Sequence, residues 1–201
     1  VENSLPIRIL TVCTGNICRS PVAERLLQAG LDDLSPGTFQ VRSAGTGAMA
    51  GDPVQPLSAR IIAAYGGSPA GFAARQLAPG VLHDVDLVLT MTAGHRAEVV
   101  QTDPSVLKRT FTIREFARMV GILAERQPSP GPVADLPAWW KALPARAASV
   151  RHLALATVPA DNDVADPYGL GPEAYRRMED ELAPAVLAIL RYARLTAPAA
   201  A

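Results

Sequence analysis

The 201-residue chain reads as an α/β protein, a parallel sheet covered by helices on both faces, with an anion-binding loop after its first strand. Three observations predict this. Strand-like and helix-like stretches alternate from Ile7 to Leu123, a periodicity that calls for a parallel sheet whose ligands sit beyond the carboxyl ends of the strands. Asp86 to Met91, DLVLTM, is a continuous apolar run suited to a central strand. Ile9 to Pro21, ILTVCTGNICRSP, compresses a strand, a tight turn and a helix start around one cysteine and one arginine.

The first strand, Ile7 to Val12, ends at Cys13. Thr14, Gly15 and Asn16 are turn formers, and Ser20-Pro21 is a helix-entry signal with proline at the first helical position. The helix that follows sets Val22, Leu26, Leu27, Leu31 and Leu34 on one stripe, with Glu24, Arg25, Gln28 and Asp32 off it. After the loop Ser35 to Thr38, a second strand from Phe39 to Arg42 delivers Ser43-Ala44-Gly45-Thr46 to the edge where Cys13 lies, through a right-handed crossover. Ser43 is then either a hydrogen-bond partner of a turn residue such as Asn16 or an ordinary loop serine. Gly47 to Pro56 is a glycine- and proline-rich loop that walls the site with Met49. A helix from about Leu57 to Tyr65 stops at Gly66-Gly67, and the next loop carries Phe72 and Arg75-Gln76.

Past the central strand, Thr92 caps a helix running to about Gln101. Arg109 to Thr112 is a fourth short strand, and Thr112-x-x-Glu115 is a capping box opening a helix through Phe116, Val120 and Leu123. Gln127 to Pro137 is a proline-dense linker, followed by a helical stretch broken at Pro144. Within it Trp139-Trp140 is either a lid over the site or a packing or partner contact. Pro172 to Leu195 is a final core helix presenting Tyr175, Met178, Leu182, Val186 and Ile189.

The chemistry follows from the first turn. A strand running into a tight turn and a helix aims its backbone N–H groups inward as an anion nest, and a cysteine there is stabilised as a nucleophilic thiolate. Arg19, with five residues between it and the thiol, offers a planar fork to two oxygens of a tetrahedral oxyanion. Attack on phosphorus then needs an acid to protonate the leaving oxygen. Among the three aspartates of Ala160 to Gly171, Asp166 is the best placed, because Pro167 stiffens its loop and Tyr168 can stack on an aromatic leaving group. Asp161 and Asp163 read as solvated loop acids.

Whole-chain properties bound the function. Formal charge is zero, so no nucleic-acid partner is expected, and 49% hydrophobic content suits one domain with a large core. Cys13 and Cys18 are the only cysteines and share one turn, so no disulfide framework holds the fold and a reducing, cytoplasmic setting is expected. No run reaches the length of a membrane span, and the first residues lack a secretory pattern. His83, His95 and His152 are isolated, so neither a metal site nor a cofactor is expected.

Cys13-Thr-Gly-Asn-Ile-Cys-Arg-Ser-Pro21, then Ser43-Ala-Gly-Thr46, then Asp166-Pro-Tyr168 together resemble the low-molecular-weight protein tyrosine phosphatases, in that family's order. The resemblance implies a three-layer α/β/α fold with a four-stranded parallel sheet, one phosphatase domain carrying a proline- and tryptophan-containing insertion at about 127–157. It implies Cys13 as nucleophile, Arg19 as phosphate clamp and Asp166 as acid and then base. Thr14, Gly15, Asn16, Ile17, Cys18, Ser20, Met49 and Tyr168 are then phosphate- or substrate-binding, with Asn16 and Ser43 as supports of the turn. Ser20 stabilises the leaving thiolate. Cys18 is either a trap for oxidised Cys13, as a reversible disulfide, or an inert packed thiol. The implied partners are a phosphotyrosine protein or peptide and a tyrosine-kinase counterpart. Three departures stand out: Phe72 where the family often has histidine, Met91-Thr92 where it often has Met-Asp, and Met49 where a tryptophan often walls the pocket. Arsenate reduction with a small-molecule thiol and a non-catalytic phosphate-binding module are the alternatives.

Overall fold

The computed structural model describes residues 5–126, 133 and 135–197. Strands β1 (Ile7–Cys13), β2 (Phe39–Gly45), β3 (Leu87–Thr90) and β4 (Thr110–Thr112) form one parallel sheet in the order β2-β1-β3-β4. The first strand is central, so its carboxyl end, Cys13, sits in the crevice between neighbours reached in opposite directions.

Side chains alternate across the sheet, and the two faces carry separate cores. Ile7, Ile9, Leu87 and Leu89 pack beneath α1 (Arg19–Leu34), α5 (Ile113–Arg126) and α8 (Pro172–Thr196). Leu10, Val12 and Val88 face the smaller cluster built with Leu82 of α3 (Pro79–Leu82) and Val99 of α4 (Ala93–Thr102). The remaining helices are α2 (Pro56–Ala64), α6 (Leu136–Lys141) and α7 (Leu143–Ser149). Among the described residues no helix is long and apolar enough to cross a membrane.

Three details differ from the sequence reading. Strand β2 continues through Ser43 to Gly45, because each of these residues still pairs with β1 as far as Cys13. Helix α1 begins at Arg19, placing Pro21 third rather than first. The segment after the linker breaks at Ala142, and Pro144 lies in the first turn of α7, where a missing N–H costs nothing. The linker itself lies largely outside the described residues.

The lid reading of the tryptophans is overturned. Trp140 is 2% exposed, with its ring 4.9 Å from Phe39 and 6.4 Å from Tyr192. Phe39 opens β2 and Gly45, paired with Cys13, closes it, so Trp140 packs about 20 Å from the thiol at the other end of the sheet. Trp139 carries the Arg146 guanidinium 3.4 Å over its ring.

Candidate active site

The loop after β1 is shaped by where its carbonyls go. Thr46 N–H donates to Cys13 O (2.9 Å), Gly47 to Thr14 O (3.1 Å), Met49 to Gly15 O (3.0 Å) and Gln55 to Ile17 O (2.8 Å). Each trans peptide points its N–H opposite to its C=O, so the N–H groups of Thr14, Gly15, Asn16 and Cys18 turn to the inner side as a nest for an anion. Asn16 takes the left-handed conformation this requires, at φ 56°. Gly45 is where the loop rests on β2: a Cβ there would lie 2.2 Å from the Thr14 carbonyl oxygen.

Behind the loop runs a chain of buried hydrogen bonds whose direction can be read from the donors available. Asn16 Nδ2 gives its two hydrogens to Ser20 Oγ (2.9 Å) and Ser43 Oγ (2.8 Å), and Asn16 Oδ1 accepts from Arg75 N–H (2.8 Å). Ser43 directs its own proton to Glu24 Oε2 at 2.5 Å. Ser20 accepts from Asn16, which leaves its hydroxyl proton for Cys13 Sγ at 2.9 Å. Asn16 and Ser20 are therefore not pocket walls by their side chains: both are wholly buried, and their polar atoms are paired behind the loop. Glu24, off the apolar stripe in the sequence, is buried too, and burial raises its carboxyl pKa against the lowering effect of the Ser43 hydroxyl. Phe72, where a histidine would have offered polar support, is a core side chain.

A cavity of about 150 Å³ opens in front of the loop. Cys13, Thr14, Gly15, Ile17, Cys18 and Arg19 line it from the loop, and Gly47, Met49, Asp166 and Tyr168 from the facing segments. Arg19 is 4% exposed; its Nη2 donates to Asp166 Oδ2 (2.6 Å) and its Nη1 to the Val164 carbonyl (3.2 Å), while Nε is buried without a partner among the described residues. Asp166 is itself half-exposed, with Oδ1 accepting from Tyr168 N–H at 3.2 Å. Cys18 Sγ lies 3.6 Å from Tyr175 OH, and burial raises the pKa of both groups. Thus Asp166, 147 positions from Arg19 in the chain, meets it and Cys13 at one opening.

The nest, the arginine and all but the first residue of the strand before them lie inside residues 8–125, which match the model of the low molecular weight phosphotyrosine protein phosphatase family. The chain belongs to that family. It is a phosphatase that works through a cysteine. The low molecular weight protein-tyrosine-phosphatase Etp of Escherichia coli K12 is 41% identical over 108 residues, 54% of this chain and 70% of its own length. The protein-arginine-phosphatase of Geobacillus stearothermophilus is 30% identical over 178 residues, covering 89% of this chain and 90% of the relative. Among solved structures, the low molecular weight protein tyrosine phosphatase of T. tengcongensis superposes with a TM-score of 0.66 at 28% identity, over 92% of this chain and 98% of that one.

Two residues of the phosphatase escaped the sequence reading. His95, treated there as isolated, is 5% exposed, and its ring bridges Thr14 Oγ1 (Nε2, 2.8 Å) and Thr92 Oγ1 (Nδ1, 2.9 Å). Burial, reinforced by the nearby Arg19 cation, holds its pKa down at about 4, so the imidazole is neutral near pH 7. The spacing Thr92-x-x-His95 at a helix start was the available signal, since position N3 of a capped helix sits over its cap. Asp163 is likewise no free loop acid: its Oδ1 accepts from Ala93 N–H at 2.8 Å, at the head of α4.

Proposed function

We propose that this phosphatase hydrolyses phosphotyrosine in proteins, with Cys13 as nucleophile, Arg19 as the phosphate clamp and Asp166 as acid and then base. The observation that carries the reading is the convergence of Cys13, Arg19 and Asp166 on one small cavity whose bulky walls include the apolar or aromatic Ile17, Met49 and Tyr168. In the first step the Cys13 thiolate attacks phosphorus in line while the loop N–H groups and the Arg19 fork take the non-bridging oxygens. The phosphorus–oxygen bond to the leaving group breaks and Asp166 gives its proton to that oxygen. In the second step a water yields its proton to Asp166, attacks phosphocysteine, and releases phosphate and the thiolate. Ser20 is placed to donate to the sulfur when it leaves, and Asn16 and Ser43 to hold Ser20 in that orientation.

The Arg19–Asp166 ion pair gives the cycle its order. To grip two oxygens the guanidinium must share or release its bond to Asp166, so substrate entry frees the carboxylate to take up a proton from water and face the ester oxygen as the acid. The continuous core from Ile7 to Ala193 supports reading the described chain as one phosphatase domain with α6 and α7 part of it. Two free thiols in the site support a reducing, cytoplasmic setting, and a tyrosine kinase is the implied supplier of substrate.

A second reading is phosphoarginine hydrolysis, favoured by the full-length similarity to the Geobacillus protein-arginine-phosphatase. Against it, a guanidinium-bearing substrate wants a carboxylate partner, and among the described residues Asp166 is the one carboxylate lining the cavity, already committed to the leaving group. Matched phosphotyrosine, phosphoserine, phosphothreonine and phosphoarginine peptides, with arsenate plus a thiol as a further arm, decide among them. Phosphotyrosine turnover exceeding the others, absent in Cys13→Ser, is expected; faster release from phosphoarginine would replace the substrate assignment.

A further inference from the structure

The junction between β3 and α4, Met91 to His95, touches both halves of the site. On one side the His95 ring reaches Thr14, the loop residue next to Cys13, at 2.8 Å. On the other, Met91 O accepts from Val164 N–H at 2.8 Å and Ala93 N–H donates to Asp163 Oδ1 at 2.8 Å, two and three residues before Asp166.

We infer that this junction is the spacer that sets the distance between the attacking sulfur and the acid, with His95 and Asp163 as positioning residues. The inference rests on Asp166 being the general acid. The helix does not need the imidazole for its cap, because Thr92 Oγ1 already accepts the backbone N–H of His95 (3.1 Å). A buried polar ring costs free energy unless both nitrogens are paired, and the second pairing is the one to Thr14. Similarly, the Ala93 N–H at an exposed helix start can be satisfied by water, whereas a carboxylate from the acid loop ties two segments together.

Other contacts hold the acid loop to the body: Arg114 Nη1 donates to Asp163 O (2.7 Å) and Ala165 N–H to Glu181 Oε2 (2.6 Å). These reach α5 and α8 and not the anion loop. The direct link from loop to acid is Arg19, through Val164 O and Asp166, and Arg19 is the group a bound phosphate claims. While substrate occupies the nest, the route Thr14, His95, Thr92, Ala93, Asp163 still joins the residue next to Cys13 to the acid loop and holds Asp166 in register with the ester oxygen. In the first step, misplacing an acid by a fraction of an ångström costs rate only where the leaving group needs a proton.

The test is the dependence of kcat/KM, which reports the step that expels the leaving group, on leaving-group basicity, measured with a series of aryl phosphates from p-nitrophenyl phosphate to phenyl phosphate and on to an alkyl phosphate. Asp166→Asn is expected to steepen the dependence most. His95→Ala and Asp163→Ala are expected to steepen it partway, with losses of about 10-fold to 100-fold on the poorest leaving group and only a few-fold on the best. His95→Gln and Asp163→Asn, which keep a hydrogen-bonding atom at the right reach, should restore most of the slope. Thr14→Val, at an exposed position, cuts the same bond from the other end and serves if His95→Ala fails to fold. A uniform loss across the series in His95→Ala, Thr14→Val and Asp163→Ala, beside a steepened Asp166→Asn, overturns the spacer alone. An unchanged slope in Asp166→Asn removes the acid assignment and the spacer with it.

Discussion

At the scale of single residues, two buried ionisable groups pull stability in opposite directions with pH. His95 is held neutral in the fold, at about 4 against an ordinary value of 6.5. Between those limits the unfolded chain binds a proton that the folded one does not, so stability is full above pH 6.5 and is lost as pH falls toward 4, by about 3 kcal/mol at most. Glu24 has the reverse sign, because burial raises its carboxyl pKa and ionising it at neutral pH works against the fold. Urea denaturation of wild type and His95→Gln between pH 4 and 7 separates the two, since Glu24 is common to both: wild type should lose stability relative to His95→Gln, by about 3 kcal/mol at most, as pH falls from 6.5 toward 4. Glu24→Gln, which can still accept from Ser43, should gain stability at pH 7 and lose that gain as pH drops. Neither residue stood out in the sequence, because burial, not residue type, gives them their character.

At the scale of elements, two glycines show how packing decides the sign of one substitution. Gly45 ends β2 against the Thr14 carbonyl, and an alanine Cβ would meet that backbone oxygen at 2.2 Å. Neither strand nor loop can yield cheaply there, so Gly45→Ala should cost about 1–3 kcal/mol and weaken inhibition by inorganic phosphate, as a shifted loop would. Gly121 lies inside α5, where an added methyl group would find nothing within 4 Å, and there alanine removes a helix penalty. Gly121→Ala should raise stability by about 0.5–1 kcal/mol and leave phosphate inhibition unchanged, both read from denaturation and kinetics. The strand and helix pattern was legible because periodicity is local. The extent of β2 was not, because Ser43 to Gly45 belong to the strand only through pairing with β1.

At the scale of the whole molecule, the sheet separates what stabilises the protein from what performs chemistry. Trp140 sits between Phe39 and Tyr192 at the amino ends of the strands, binding α6 to β2 and α8. Trp140→Ala should cost about 3–5 kcal/mol by cavity formation, seen as a lower urea midpoint, while kcat per folded molecule stays at the wild-type value. A matching fall in kcat under native conditions would return the tryptophan segment to the site. The carboxyl ends of the strands carry the opposite balance, with buried hydroxyls, an amide and a carboxylate behind the loop where an apolar core would be simpler.

The sequence by itself determined the alternation of elements, the loop from Cys13 to Arg19 and the family, because each depends on residues adjacent in the chain or on their order. Only the tertiary structure decided that Glu24 is the end of the hydrogen-bond chain, that Asn16 and Ser20 stand behind the pocket rather than in it, and that Trp140 is core. It also decided that His95 and Asp163, far apart in sequence, meet at one junction, both within hydrogen-bond reach of the start of α4. Such pairings depend on which segments the sheet order brings side by side, and burial then fixes the charge and direction of each bond, neither of which a linear reading contains.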